Sequence, residues 1–119
     1  MADYLQYGTS RREVTIASGQ TDSPNLEISG MNPCKLFLPA TTGTVFTFKV
    51  SDDGVTFYQL RDAAGALVTV TKAAAGDSGF YQLEPVFFAG LPAYMRVVSG
   101  SAEGSARLIA VVSQKTIAR

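Results

Sequence analysis

The chain has 119 residues, ten basic and ten acidic, with no histidine and a single cysteine, Cys34. A chain of this length is one domain and buries roughly two-thirds of its unfolded surface, so a core can form without a metal or a disulfide. Zero net charge gives no general pull towards nucleic acid or an anionic membrane. The missing histidine removes the commonest general base, the usual partner of serine and cysteine nucleophiles and the commonest zinc ligand.

The opening stretch, MADYLQYGTSRR, lacks the basic and apolar regions of a signal peptide. The protein is therefore expected to be made and kept in a cytoplasm, or exported as part of something larger. Residues 1–10 carry Tyr4, Leu5 and Tyr7 but are too few to hold themselves. They are either a terminus without a fixed place or an arm that docks on a neighbouring subunit. Arg11 to Ser18 alternates Val14 and Ile16 with Thr15 and Ala17 and reads as a strand. Residues 19–25 are a loop, and Asn25 to Ser29 is a short strand with Leu26 and Ile28 inward. Cys34 to Leu38 is another strand, with Cys34, Leu36 and Leu38 on one side, ended by Pro39.

Thr44 to Arg61 is the clearest segment. Phe46, Phe48 and Val50 alternate with Val45, Thr47, Lys49 and Ser51, the period of a half-buried strand. Ser51-Asp52-Asp53-Gly54 then has the composition of a three-residue hairpin loop closed by a glycine bulge. Val55 to Leu60 is expected as the returning strand. A turn at Asp62 to Gly65 and a strand from Ala66 to Lys72 extend this to a three-stranded meander over residues 44–72. Residues 73–79 are a small polar loop and Phe80 to Leu83 a short strand. The stretch PVFFAGLP, residues 85–92, is bounded by prolines. It is either an apolar plug on one end of the core or an exposed patch for a partner, with Phe87 and Phe88 at its centre. Ala93 to Ser99 and Ser105 to Ser113 read as strands joined into a hairpin by Gly100 to Gly104.

About eight or nine short strands at spacings near ten residues predict an all-β, antiparallel β-sandwich of jelly-roll type. The expected organisation is an arm at 1–10, a sandwich domain at 11–113 and a tail at 114–119. No phosphate loop, metal-ligand spacing or plausible catalytic pair of carboxylates stands out, so no catalytic residue, cofactor or metal is expected. Cys34 reads as a buried structural thiol. Arg11-Arg12 is the only adjacent basic pair. Tyr58, Tyr81 and Tyr94 sit either at the rim of the core or on a sugar-binding surface.

Three segments together resemble a group of small structural proteins of tailed bacteriophages: FKVSDDGVTFYQLRDAAGALVTV, FYQLEPVFFAGLPAYMRVVSGSAEG and ARLIAVV. The positions that carry the resemblance are Ser51 to Gly54, Phe57, Gly90, Arg96 to Gly100 and Arg107 to Val112, within residues 26–113. It implies a virion protein rather than an enzyme. The expected type is a cement (decoration) protein on the capsid exterior that ties neighbouring capsomers together. Its partners would be the major capsid protein and its own copies, as a homodimer or homotrimer, with no direct nucleic acid and no membrane. Head-fibre, tail or adaptor proteins, and carbohydrate- or receptor-binding modules, are the alternatives. The residues expected at such an interface are Tyr4, Leu5, Tyr7, Arg11, Arg12, Phe87 and Phe88.

Overall fold

The computed structural model describes the backbone of residues 5–118 and the side chains of residues 9–114. Nine strands and one helical turn follow in the order β1 (Leu5–Ile16), β2 (Leu26–Glu27), β3 (Asn32–Leu38), β4 (Val45–Ser51), β5 (Tyr58–Gln59), β6 (Val70–Thr71), β7 (Gly79–Gln82), α1 (Pro85–Phe88), β8 (Tyr94–Ser99) and β9 (Arg107–Ala118). They form an antiparallel sandwich. One sheet has four strands in the order β1-β9-β3-β7. The other has five, β2-β8-β4-β5, with β6 beside β5 on the same edge of β4. The chain crosses repeatedly from sheet to sheet, as the jelly-roll expectation requires.

Period-2 alternation explains the core. Along β4, Phe46 and Phe48 are fully buried, and along β8 Met95 and Val97 meet them from the same sheet. Leu36 and Leu38 on β3 and Ile109 and Val111 on β9 come from the opposite sheet. Val68 and Val70 are also buried, while Leu67, Thr69 and Thr71 face water.

Several pairings depart from the sequence reading. β1 starts at Leu5, so residues 5–10 of the expected arm are strand, and β9 runs on to Ala118 through most of the expected tail. The two pair throughout, from Leu5 opposite Ala118 to Ile16 opposite Arg107. β3 stops pairing with β9 at Gln114. Residues 5–8 and 115–118 therefore form a two-stranded ribbon beyond the sheet.

The loop after β4 is longer than a three-residue turn, because β5 first pairs at Tyr58, opposite Val50. Asp53 is the cause. Its Oδ1 accepts the Ser51 hydroxyl and the backbone N–H groups of Val55 and Thr56, so side chains rather than a ladder satisfy this stretch. Those bonds hold the exposed Asp53 carboxyl down to about pKa 2. Gly54 does take the expected left-handed conformation, φ 77°.

The turn at Asp62 to Gly65 joins two paired arms as expected, with Arg61 opposite Leu67 and the Val68 N–H donating to the Leu60 carbonyl. The meander does not continue as a regular third strand, because β6 pairs with β4, Phe46 opposite Val70. Residues 100–104 do not close a hairpin either, since β8 and β9 belong to different sheets. On β3, a register shift between Pro33 and Lys35 buries Pro33 and leaves Cys34 half-buried, its thiol donating to the Val112 carbonyl at 3.3 Å.

The apolar plug over 85–92 begins with the single turn α1, and Phe88 is its anchor. Phe88 is 1% exposed and stands edge-on to Phe48, with ring centroids 4.9 Å apart. It belongs to the core and is not available to a partner, which corrects its place among the expected interface residues. The turn exposes Pro85 and Val86, the latter 80% exposed.

Candidate functional site

Two buried polar clusters fix the loops at one end of the sandwich. Glu103 is 1% exposed, yet all its acceptor positions are used. Oε1 accepts the Thr42 N–H at 2.7 Å and Arg107 Nε at 3.0 Å; Oε2 accepts the Ser99 hydroxyl at 2.7 Å and the Gly43 N–H at 3.1 Å. Its backbone bonds Gly19 and Gln20. Burial raises the carboxyl pKa, but the bonds from Ser99, Thr42, Gly43 and Arg107 outweigh it and the net shift is downward. Lys72, 2% exposed, donates to the Pro39 and Ala75 carbonyls and to the Thr41 hydroxyl at 2.8–2.9 Å. Burial pushes its pKa down, against the pull of Asp77 and Glu103. The bonds of both groups go to loop backbone and to the Ser99, Arg107 and Thr41 side chains, so each acts as a clasp between loops.

Gly43 is part of the first clasp. A Cβ there would overlap the Ser99 hydroxyl. Gly43→Ala is expected to lower stability by about 1–3 kcal/mol through overpacking, read from urea unfolding midpoints.

The surfaces offer three features. The first is the open edge of β1, which pairs with β9 on one side and with no other described strand. Arg11 and Arg12 lie at its middle. Arg11 is exposed on the outer face, pairs with Glu13 at 3.0 Å and lies 5.9 Å over the Phe37 ring. Arg12 sits opposite the buried Val111 and so is on the core-facing side, at the rim of the sandwich, and exposed. Leu5 and Tyr7 are positions of the same strand whose side chains fall outside the described set; Tyr4 lies outside the described residues altogether.

The second feature is at the far side of the same sheet. The outer edge of β7 is open among the described residues, and its four residues carry no charge. Beside it runs a groove of about 190 Å³, lined by Asp62, Leu67, Val70, Gln82, Glu84 and the half-buried Phe87. Of the two phenylalanines expected at an interface, Phe87 is thus at a surface and Phe88 is not. Phe80 is 55% exposed on the outer face and leans on Phe37, ring centroids 5.3 Å apart. The sequence reading missed this edge. Its signal was the alternation of Phe80 and Gln82 with Tyr81, which the structure resolves into outward and core-packed residues.

The third is an open cleft of about 320 Å³ lined by Val50, Ser51, Asp52, Asp53, Thr56, Tyr58 and Pro92. Tyr58 is 69% exposed at its lip. Tyr94 packs on Gly54, and Tyr81 packs against the core. The outer face of the five-stranded sheet is polar. Asp22 bonds Lys49 at 2.8 Å and lies 3.8 Å from Arg96, whose guanidinium stacks on Phe57 at 4.1 Å. Among the described residues no cluster of three or more histidine, cysteine or acidic side chains could hold a metal, and no helix is long and apolar enough to cross a membrane.

No protein-family model matches the chain, and no curated protein matches it. Among solved structures, a chain from a structure entitled "Bacillus endospore appendages form a novel family of disulfide-linked pili" aligns over 98% of this chain and 92% of its own, with 15% identity and a TM-score of 0.45. At that level of likeness it assigns neither function nor partner.

Proposed function

We propose that this chain is a non-enzymatic structural subunit of a bacteriophage virion, of the cement type, which binds the outside of the capsid and ties neighbouring capsomers together. The observation that carries the reading is the β1–β9 pair. Both ends of the described chain run into one ribbon of two twelve-residue strands, and its last four residue pairs overhang the sheet. A free two-stranded ribbon is marginal in water and gains most from lying on another surface. Together with the open β1 edge, it suits a subunit that touches several neighbours at once and binds by avidity. The phage-like order of turn and strand motifs supports the same reading. Particles purified from a lysate of the phage host should bind the intact protein in a sedimentation assay. Protein lacking residues 1–8 should bind at least about tenfold more weakly, since ribbon contacts would be lost at every site. Equal binding by both proteins would remove the ribbon from the attachment surface.

One observation favours a second reading, a saccharide- or receptor-binding module: the open cleft with Tyr58 at its lip and two carboxylates on its wall. A glycan panel that detects binding abolished by Tyr58→Ala would support it, and an empty panel would remove it.

A further inference from the structure

The four-stranded sheet has two open edges of opposite character. The described middle of β1 carries Arg11, Arg12 and Glu13. Edge charges of this kind normally discourage strand pairing. Two β1 strands paired antiparallel about Arg11, Arg12 or Glu13 would set that residue against its own copy, an unfavourable like-charge pair, although the register about Arg12 also sets Arg11 opposite Glu13. The β7 edge has no charge of its own, and the groove beside it presents the carboxylates of Asp62 and Glu84 around apolar Leu67, Val70 and Phe87. Among the described residues neither Arg12 nor Glu84 has an ion-pair partner.

The strand directions fit as well. Each neighbouring pair in β1-β9-β3-β7 is antiparallel. With four strands, β1 therefore runs opposite to β7. A second copy placed in the same orientation beside the first brings its β1 antiparallel to the β7 edge, and the sheet continues without a break. The pairing register also sets β7 level with the middle of β1: Gln82 and Arg11 each align with Val112 through the intervening strands. Through the same strands Arg12 aligns with Tyr81 on the core-facing side, three residues from Glu84 in the groove.

We propose that copies of this chain associate head to tail, β1 of one pairing with the β7 edge of the next and Arg12 set against Glu84 and Asp62. The contact is heterologous, so it closes into a ring or continues as a row, according to the twist between copies. The Arg12 charge then acts as a selector: it opposes a second Arg12 and is accepted by the acidic groove. The inference rests on reading the chain as a multi-copy structural subunit. It is tested on purified protein without any particle, so its failure and a failure to bind phage heads are separate results.

The test is sedimentation equilibrium of the full chain from low micromolar to about 1 mM, the weak end of specific association. Average mass should rise with concentration. Arg12→Glu and Glu84→Arg should each weaken association by about tenfold or more, because each sets like charges at the contact. Mixing the two variants should restore association above that of either alone, since each contact between unlike variants again joins opposite charges. Both side chains are exposed, and the Glu84 side chain makes no capping bond to α1, so far-UV circular dichroism should be unchanged. If a reversal disturbs the fold, Arg12→Gln and Glu84→Gln replace the pair, with a smaller loss expected from each. A wild-type protein that stays monomeric throughout, an association unmoved by either variant, or a mixture that fails to recover would each overturn the proposal.

Discussion

Replacing Glu103 by alanine is expected to lower the unfolding free energy by about 3–5 kcal/mol, the usual consequence of removing one partner from a buried charged pair. The side chain is wholly buried against Arg107, Ser99 and the N–H groups of Thr42 and Gly43. Without it, two backbone donors, a hydroxyl and a guanidinium lose their acceptor together, at one place where three loops meet. Each orphaned buried group costs about 1–3 kcal/mol, partly recovered where water can enter. The pH dependence follows from the same contacts. The folded-state pKa of Glu103 lies below its ordinary value, so the native state releases this proton more readily than the unfolded chain. Its contribution is fully present above the ordinary glutamate range near pH 4.3 and is lost as pH falls through the lower folded value. Asp22, held down by Lys49 and Arg96 against the opposing effect of burial, and Asp53 act in the same direction. Acid titration of the unfolding free energy should therefore show a shallower fall in Glu103→Gln than in the wild type. Equal slopes would mean that Glu103 titrates normally in the folded protein.

Phe48→Ala is expected to cost about 3–5 kcal/mol as well, by a different mechanism. Phe48 is fully buried at the centre of β4 and meets Phe88 edge-on, so truncation leaves a cavity between the five-stranded sheet and the α1 turn. Phe88→Ala should be of similar size. The double variant should lose less than the two together, with a coupling of about 0.5–1.5 kcal/mol for the aromatic pair. Guanidinium unfolding of the four proteins measures all three quantities. Additive losses would mean that the rings pack independently.

The sheet strands with long alternation were legible from the sequence because burial repeats every second residue. Phe46 and Phe48 on β4, Val68 and Val70 before and in β6, and Leu36 and Leu38 on β3 all lie on the side that alternation assigns them. What stayed hidden depends on partners far away in the chain. β1 could not be traced back to Leu5, because residues 6–13 are mostly polar and are held by backbone pairing with β9. The loop at residues 100–104 has hairpin composition, but Glu103 buries itself in the clasp and the chain passes to the other sheet. Cys34 left its expected side because of a register shift that composition does not reveal.

The residues expected at an interface divide in the same way. Arg11 and Arg12 were found as a basic pair and do stand exposed on an open edge. Phe87 and Phe88 are adjacent, and only the T-shaped contact to Phe48 decides which of them is core. The β7 edge and its acidic groove join residues 62–70 to residues 82–88, a proximity that exists only after the two sheets have packed.

The assignment to a virion is tested most directly by immunogold electron microscopy of phage particles purified from a lysate of the host. Label distributed evenly over the heads is the expected result. Label confined to the tail or its tip would contradict the cement reading in favour of an adaptor or receptor-binding part. The absence of label from every particle would contradict a virion role altogether.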